Sequence, residues 1–393
     1  MELDSSDTRA SSTQNPSTQN QMSGYRPELD VVRFLAFILV FFHHVLPRSP
    51  WDWTPLNQAY IKAEPLFYAV ANACGMGMCL FFCLSAYLIT EILLKERSIR
   101  GAISIKKFYI RRALRIWPLY FFGIALGIGM ALMMHLGSVV TAFLWYLLFA
   151  GNFYCGLFGW PISPFTPLWS ISLEEQFYLI WPWAMRSFSR RGLILSAFFF
   201  ILVANITLLY FGARHTDNEF VVWTNTFVQF EMFATGILLA FVKRDSTRNH
   251  AAIGYVLVAT GPILWFIASY FFHIIDMVSR IATSGVVLVA GYALVALGCA
   301  AVLHGFCLIG PSSMPIWAAK LGKISYGLYV FHLFAILIAR AIFAPYHAFS
   351  YRIIESLFAL LLTILAAKIS YVCLESPFLR LKRRFEVLHT RPI

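Results

Sequence analysis

The sequence predicts an all-α, polytopic membrane protein, with about ten transmembrane helices, one further re-entrant or interfacial segment, and both termini in the cytoplasm. Two observations predict the class. The chain of 393 residues is 59% hydrophobic and only 13% charged, with a mean hydropathy of +0.69, beyond what a water-soluble domain of that length carries. Several apolar runs also reach the roughly 18 to 25 residues that a helix needs to cross a bilayer. A third observation, the placement of Lys and Arg, sets the number of spans and their orientation.

Residues 1–24 are a polar, Ser-, Thr-, Gln- and Asn-rich stretch that cannot bury a core, so a disordered tail is expected. They do not read as a signal peptide, because no apolar run follows a basic start. The membrane domain is expected over 25–378, followed by a basic cytoplasmic tail over 379–393. Apolar segments follow in order near 29–46, 66–94, 114–136, 139–155, 168–186, 192–212, 225–242, 251–273, 281–309, 326–345 and 353–373. If all of them spanned, the basic stretches at 186–191 and 243–248 and the C-terminus would face outward. Treating 139–159 as re-entrant or interfacial returns all three to the cytoplasm. Its Gly151, Gly156 and Gly159 among Trp and Tyr suit a broken segment. With the N-terminus inside, the basic run Lys95 to Arg115, holding eight Lys and Arg against Glu96, is cytoplasmic.

The net charge of +12 therefore reports loops rather than a nucleic-acid partner. The expected partner is the lipid bilayer, and RLKRR (380–384) is expected to touch anionic headgroups. The seven cysteines lie in or beside apolar runs and read as small packing residues, with no spacing for a metal. No GxSxG, HExxH or phosphate-binding P-loop pattern occurs.

Four constellations carry the ionisable residues. The first helix holds Asp30, Arg33, His43 and His44. Arg33 and His44 lie within ~20° of one face and roughly 16 Å apart along the axis, whereas His43 points about 80° away. Charges inside a membrane helix are costly and mark functional positions. The plainer alternative pairs Arg33 with Asp30 and leaves His44 interfacial. A histidine is suited to take a proton from a hydroxyl near neutral pH. The second constellation is Arg111, Arg112 and Arg115, within Phe108 to Pro118. These guanidinium groups share a helix side where the basic loop enters the third span, and suit phosphate recognition. An ordinary positive flank is the alternative. The third is Glu174 and Glu175, inside a helix, with Tyr178 one turn from Glu174. Ser172 to Glu175 has the spacing of a capping box, which leaves Glu174 as the more telling carboxylate. A carboxylate there is placed to orient a histidine. The fourth is His332, near Ser325, Tyr326 and Tyr329, which reads equally as a hydrogen-bonded core histidine.

Taken together, these stretches resemble the membrane acyltransferase-3 family over roughly residues 25 to 385. Arg33 and His44 match its Arg-x10-His pattern. Residues 77–90 resemble its second helix, with Ala86 where glycine is usual and Met78 and Cys79 in place of a Val-Asp pair. RALRIWP (112–118), PLWSISLEEQFYLIWP (167–182), ISYGLYVFH (324–332) and LESPFLRL (374–381) match further motifs in order. The resemblance implies an integral membrane O-acyltransferase. Such an enzyme would move an acetyl or other short acyl group from cytoplasmic acyl-coenzyme A, with acetyl-CoA as the expected donor, to a hydroxyl of a cell-surface carbohydrate such as O-antigen or exopolysaccharide, without a metal. Arg111, Arg112, Arg115 and Lys107 would hold the donor. His44 would act as general base and Glu174 would orient it. Arg33 and Asp30 would position the donor, with Glu175, Tyr178 and His332 in support. A relayed acyl-enzyme is left open. Location in the cytoplasmic membrane is expected, acting alone or with a separate partner. The competing class is a proton-coupled transporter of a polar or glycolipid substrate. No inverted repeat is evident, and the charges cluster in the first half of the chain.

Overall fold

The computed structural model describes residues 25–46, 58–133, 139–215, 219–242, 250–274, 284–345 and 349–386. The expected N-terminal tail lies outside them, as do 243–248 and the last residues of the C-terminal tail. The described residues form sixteen α-helices and no strand. The first six are α1 (Pro27–Val45), α2 (Gln58–Gly75), α3 (Gly77–Arg100), α4 (Ile105–Met133), α5 (Val139–Leu147) and α6 (Gly151–Phe158). Next come α7 (Trp169–Ser187), α8 (Arg190–Ala213), α9 (Glu219–Trp223), α10 (Thr226–Phe241) and α11 (Ala251–Phe271). The last five are α12 (Gly285–Ile309), α13 (Ile316–Lys323), α14 (Ser325–Phe343), α15 (Phe349–Ser370) and α16 (Ser376–Arg383).

Seven helical stretches among the described residues are long and apolar enough to cross a membrane: 64–100, 105–133, 190–213, 251–271, 285–309, 325–343 and 351–383. Three expected spans are not among them. Helix α10 is too short, at 16 residues. Both α1 and α7 are 19 residues long but each carries three charged side chains: Glu28, Asp30 and Arg33 in α1, and Glu174, Glu175 and Arg186 in α7. The helices that fail a purely apolar criterion thus include two, α1 and α7, that carry ionisable groups into the protein's interior or its cavity.

The expected break at 139–159 is present. Helices α5 and α6 contain 9 and 8 residues, far short of a ~30 Å hydrocarbon core. The chain reverses between them at Phe149, which has a positive φ of 52°. Its ring stacks on Tyr120 at 4.7 Å, and its carbonyl accepts a hydrogen bond from Gln176 Nε2 at 2.9 Å.

Local chemistry sets the ends of the core helices. Helix α1 has Pro27 in its first turn, acidic Glu28 and Asp30 there, and His43 and His44 in its last turn. That order complements the helix dipole. Helix α3 ends in basic Arg97 and Arg100 and stops at left-handed Gly101. Helix α11 packs on α12 and α14 on α15. Leu357, Leu361, Leu365 and Ile369 recur every four residues along α15, each more than half exposed. Such an apolar stripe is a lipid-facing surface. Cys79, Cys83, Cys155 and Cys299 are buried in the main apolar core. Helix α13 lies so close to α1 that a Cβ at Gly322 would overlap the Asp30 carbonyl.

Candidate active site

Helices α1, α3, α4, α7 and α14 enclose a cavity of about 420 Å³. Met78 and Lys95 of α3 both line it, so it runs roughly 25 Å along that helix. Its lining holds seven cationic side chains, Arg26, Arg33, Lys95, Arg111, Arg112, Arg115 and Lys382, against four carboxylates, Glu91, Glu96, Glu174 and Glu386.

Some of these charges are matched within the protein. Arg33 pairs with the fully buried Asp30, three residues before it, at 2.5 Å. Arg26 bridges Glu28 and Glu91, each at 2.7 Å, and donates to the Tyr87 hydroxyl at 2.8 Å. Arg111 is bound to buried Glu96 at 3.0 Å, and Glu96 also accepts from the Ser104 backbone N–H at 3.0 Å. Arg112 and Arg115 differ. Among the described residues neither has a carboxylate within ion-pair distance. The Arg112 guanidinium lies over the rings of Tyr178 at 5.5 Å and Phe108 at 5.6 Å, which fixes it while leaving its donors for an anion. Lys107 is exposed on the other side of α4 and does not line the cavity.

One turn further along the cavity, Glu174 accepts hydrogen bonds from Ser85 Oγ and from the Tyr178 hydroxyl, both at 2.9 Å. Ser85 Oγ and that hydroxyl are also 2.9 Å apart. The Glu174 carboxylate is thereby committed to α3 and its own helix and makes no hydrogen bond to His44. Glu175 turns away from the cavity, where its Oε2 accepts from Trp117 Nε1 at 3.2 Å. The capping box does not form. Ser172 lies inside α7, and its hydroxyl accepts from the Gly151 backbone N–H at 3.2 Å.

Tyr329 lines the cavity on the side of the two histidines, neither of which lines it. Its hydroxyl donates to the Pro167 carbonyl at 2.7 Å and meets Ser170 Oγ at 2.8 Å. Behind it stands His332, fully buried, with ring centroids 5.5 Å apart. His332 in turn lies 4.9 Å from the ring of His44. Both imidazoles bind backbone carbonyls through Nδ1, His44 to Val40 at 2.8 Å and His332 to Tyr329 at 2.5 Å. A carbonyl only accepts, so Nδ1 carries the proton in each and Nε2 is the basic atom. The Nε2 of His332 is buried with no hydrogen-bond partner. His43 instead contacts the Ala71 carbonyl through Nδ1 at 2.8 Å. Arg340 of α14 holds the end of α1 by donating to the His44 carbonyl at 3.1 Å.

The structure therefore gathers Arg33, Arg111, Arg112, Arg115, Glu174 and Tyr178 around one cavity, and places His44 beside His332 outside its lining. Sequence reasoning overlooked Ser85, Arg26, Glu91 and Lys382. Ser85 and Glu91 belong to α3, where a serine and a glutamate near a basic flank give no separate signal. Lys382 was visible only as one member of a basic run.

A family model described as an acyltransferase domain matches residues 26–375. The Staphylococcus aureus (strain MSSA476) protein SAS0844, named provisionally as an O-acetyltransferase, is 25% identical over 410 aligned residues, covering 95% of this chain and 60% of its own length. The Listeria monocytogenes (serovar 1/2a) protein named peptidoglycan O-acetyltransferase OatA is 32% identical over 169 residues, 40% of this chain and 24% of its own. YrhL of Bacillus subtilis, provisionally named a peptidoglycan O-acetyltransferase, is 25% identical over 91% of this chain and 56% of its own length. The chain thus spans about three fifths of the length of the Staphylococcus aureus and Bacillus subtilis relatives. No solved structure matches it.

Proposed function

The chain belongs to the acyltransferase-3 family, and from that premise we propose that it is a membrane O-acetyltransferase. It moves an acetyl or other short acyl group from cytoplasmic acyl-coenzyme A to a hydroxyl of a cell-surface glycan. O-antigen and exopolysaccharide fit as acceptors, and the names of two relatives add peptidoglycan. The observation that carries this is the cavity itself. It begins at two guanidinium groups without carboxylate partners and leads toward a pair of imidazoles. Coenzyme A has anionic phosphates at one end and a reactive thioester at the tip of a long arm. Arg112 and Arg115 suit the phosphates. The arm runs past Ser85, Glu174 and Tyr178, and Arg33 flanks it. These residues make the donor channel, so Glu174 serves the donor rather than His44.

In the transfer step the acceptor hydroxyl gives its proton to His44 Nε2 and its oxygen attacks the thioester carbonyl. The C–S bond breaks, and the thiolate leaves and takes up the proton. The Val40 carbonyl holds His44 in the tautomer this needs. Tyr329 lines the channel 5.5 Å from the His332 ring, and neither histidine lines it, so the thioester reaches His44 only with a rearrangement around Tyr329. The basic 95–115 region faces the cytoplasm in this arrangement, with about ten spans and the protein in the cytoplasmic membrane.

The test is release of free thiol from acetyl-coenzyme A by the purified protein in nanodiscs, with and without a glycan acceptor. Acceptor-dependent release is expected in the wild type. Full turnover in His44→Ala removes the base assignment. Mass spectrometry of surface glycans from a deletion strain identifies the acceptor.

A further inference from the structure

The C-terminal basic run was expected to serve lipid headgroups, yet its side chains divide. Arg380, Arg383 and Arg384 are exposed, whereas Lys382 is only 20% exposed and lines the cavity with Arg112 and Arg115. This inward turn has a built cause. Between α15 and α16 the chain winds through a π-helical turn, Tyr371–Glu375, and Pro377 then opens α16. A π-turn inserts one extra residue and rotates all that follows. The end of α16 is then fastened by Arg111, which donates to the Phe385 carbonyl at 3.1 Å while paired to Glu96.

We propose that α16 is part of the donor site and that Lys382 completes, with Arg112 and Arg115, a three-cation cradle for the phosphate groups of the coenzyme A thioester. The proposal rests on the acyl-coenzyme A reading above. Arg112 and Arg115 lie close enough to Lys382 to repel it, and three neighbouring cations with one ion-paired carboxylate, Glu386, among them are costly unless a further anion joins them. The carboxylate nearest Lys382 is Glu386, at 3.1 Å, and Glu386 lines the same cavity. An entering phosphate takes over the Lys382 ammonium, and Glu386 opposes its entry. Removing Glu386 therefore has the opposite sign to removing Lys382.

The experiment measures coenzyme A binding to the full chain in nanodiscs by calorimetry, together with Michaelis constants for acetyl-coenzyme A and for S-acetyl-pantetheine, which lacks the phosphates. Lys382→Ala should weaken coenzyme A binding roughly tenfold, the size of one charge-assisted contact. It should leave kcat and the S-acetyl-pantetheine constant within about twofold, and Lys382→Arg should restore most of the loss. Glu386→Gln should tighten binding about two- to threefold, a gain that a merely structural role does not give. An equal loss with S-acetyl-pantetheine, or an unchanged affinity in Lys382→Ala, overturns the proposal while the donor reading stands. Wild type that binds no coenzyme A overturns both. An effect seen in anionic nanodiscs but absent from phosphatidylcholine alone assigns Lys382 to anionic lipid headgroups and also overturns it.

Discussion

At the basic end of the cavity, Arg26, Arg111, Arg112, Arg115 and Lys382 stand among Glu91, Glu96 and Glu386, bridging the start of α1 with α3, α4 and α16. At the other end, beyond Tyr329, two imidazoles lie ring to ring, each tied by Nδ1 to a carbonyl of its own helix. Phe37 packs against His332 at 6.5 Å, edge to face. The difference separates two tasks. Full charges persist where an anion can enter and compensate them. A neutral base suits the apolar end, because an imidazole can be buried uncharged and still accept a proton. Binding and proton transfer are thus expected to respond to different mutations.

The strongest way to break that division is at His44. His44→Ala should lower acceptor-dependent transfer by about 10²- to 10⁴-fold, the usual contribution of a general base, with coenzyme A affinity unchanged by calorimetry. A parallel loss of affinity would merge the two ends. Next in size, Arg112→Ala should raise the Michaelis constant for acetyl-coenzyme A by roughly tenfold to a hundredfold, the scale of a lost bidentate charged contact, with little change in kcat. His332→Phe should lower kcat about tenfold, less than loss of the base itself. Its melting temperature should hold or rise, because the change removes a buried nitrogen that lacks a partner. A melting temperature that falls in step with activity would make His332 a packing residue.

The smaller effects sharpen the boundary. Glu174→Gln keeps the acceptor for Ser85 and Tyr178 and should change the donor Michaelis constant by about threefold or less, the size of a weakened charged hydrogen bond. The pH dependence of kcat should not move, because Glu174 is not bonded to His44. A shift in that profile would restore the carboxylate–histidine pairing. Lys107→Ala, on the exposed side of α4, should change the donor constant less than about twofold, as surface charges do at physiological salt.

Much of this was legible in the sequence for reasons that are local. Apolar run length marked the helices, and Gly151, Gly156 and Gly159 marked the broken segment. Arg33 and His44 share a helix, so their relation followed from helical geometry alone. The failures are non-local. Glu174 sits on a different helix from both Ser85 and His44, and no period in either segment says which it meets. His332 finds His44 across nearly three hundred residues of chain. Lys382 differs from its exposed neighbours only because a π-turn rotates α16, and hydrophobic patterning does not encode that rotation.

The contact at Gly322 has a consequence for measurement along the bilayer normal. Helix α1 is a graduated rule, with Arg33 and His44 as two marks roughly 16 Å apart, and the contact of Gly322 with the Asp30 backbone sets its zero. A single methyl group added there slides both marks together. Their spacing is unaltered, but the helix is miscalibrated against the fixed positions of Arg112 and His332. In Gly322→Ala the fault is one of alignment, with every functional side chain still present.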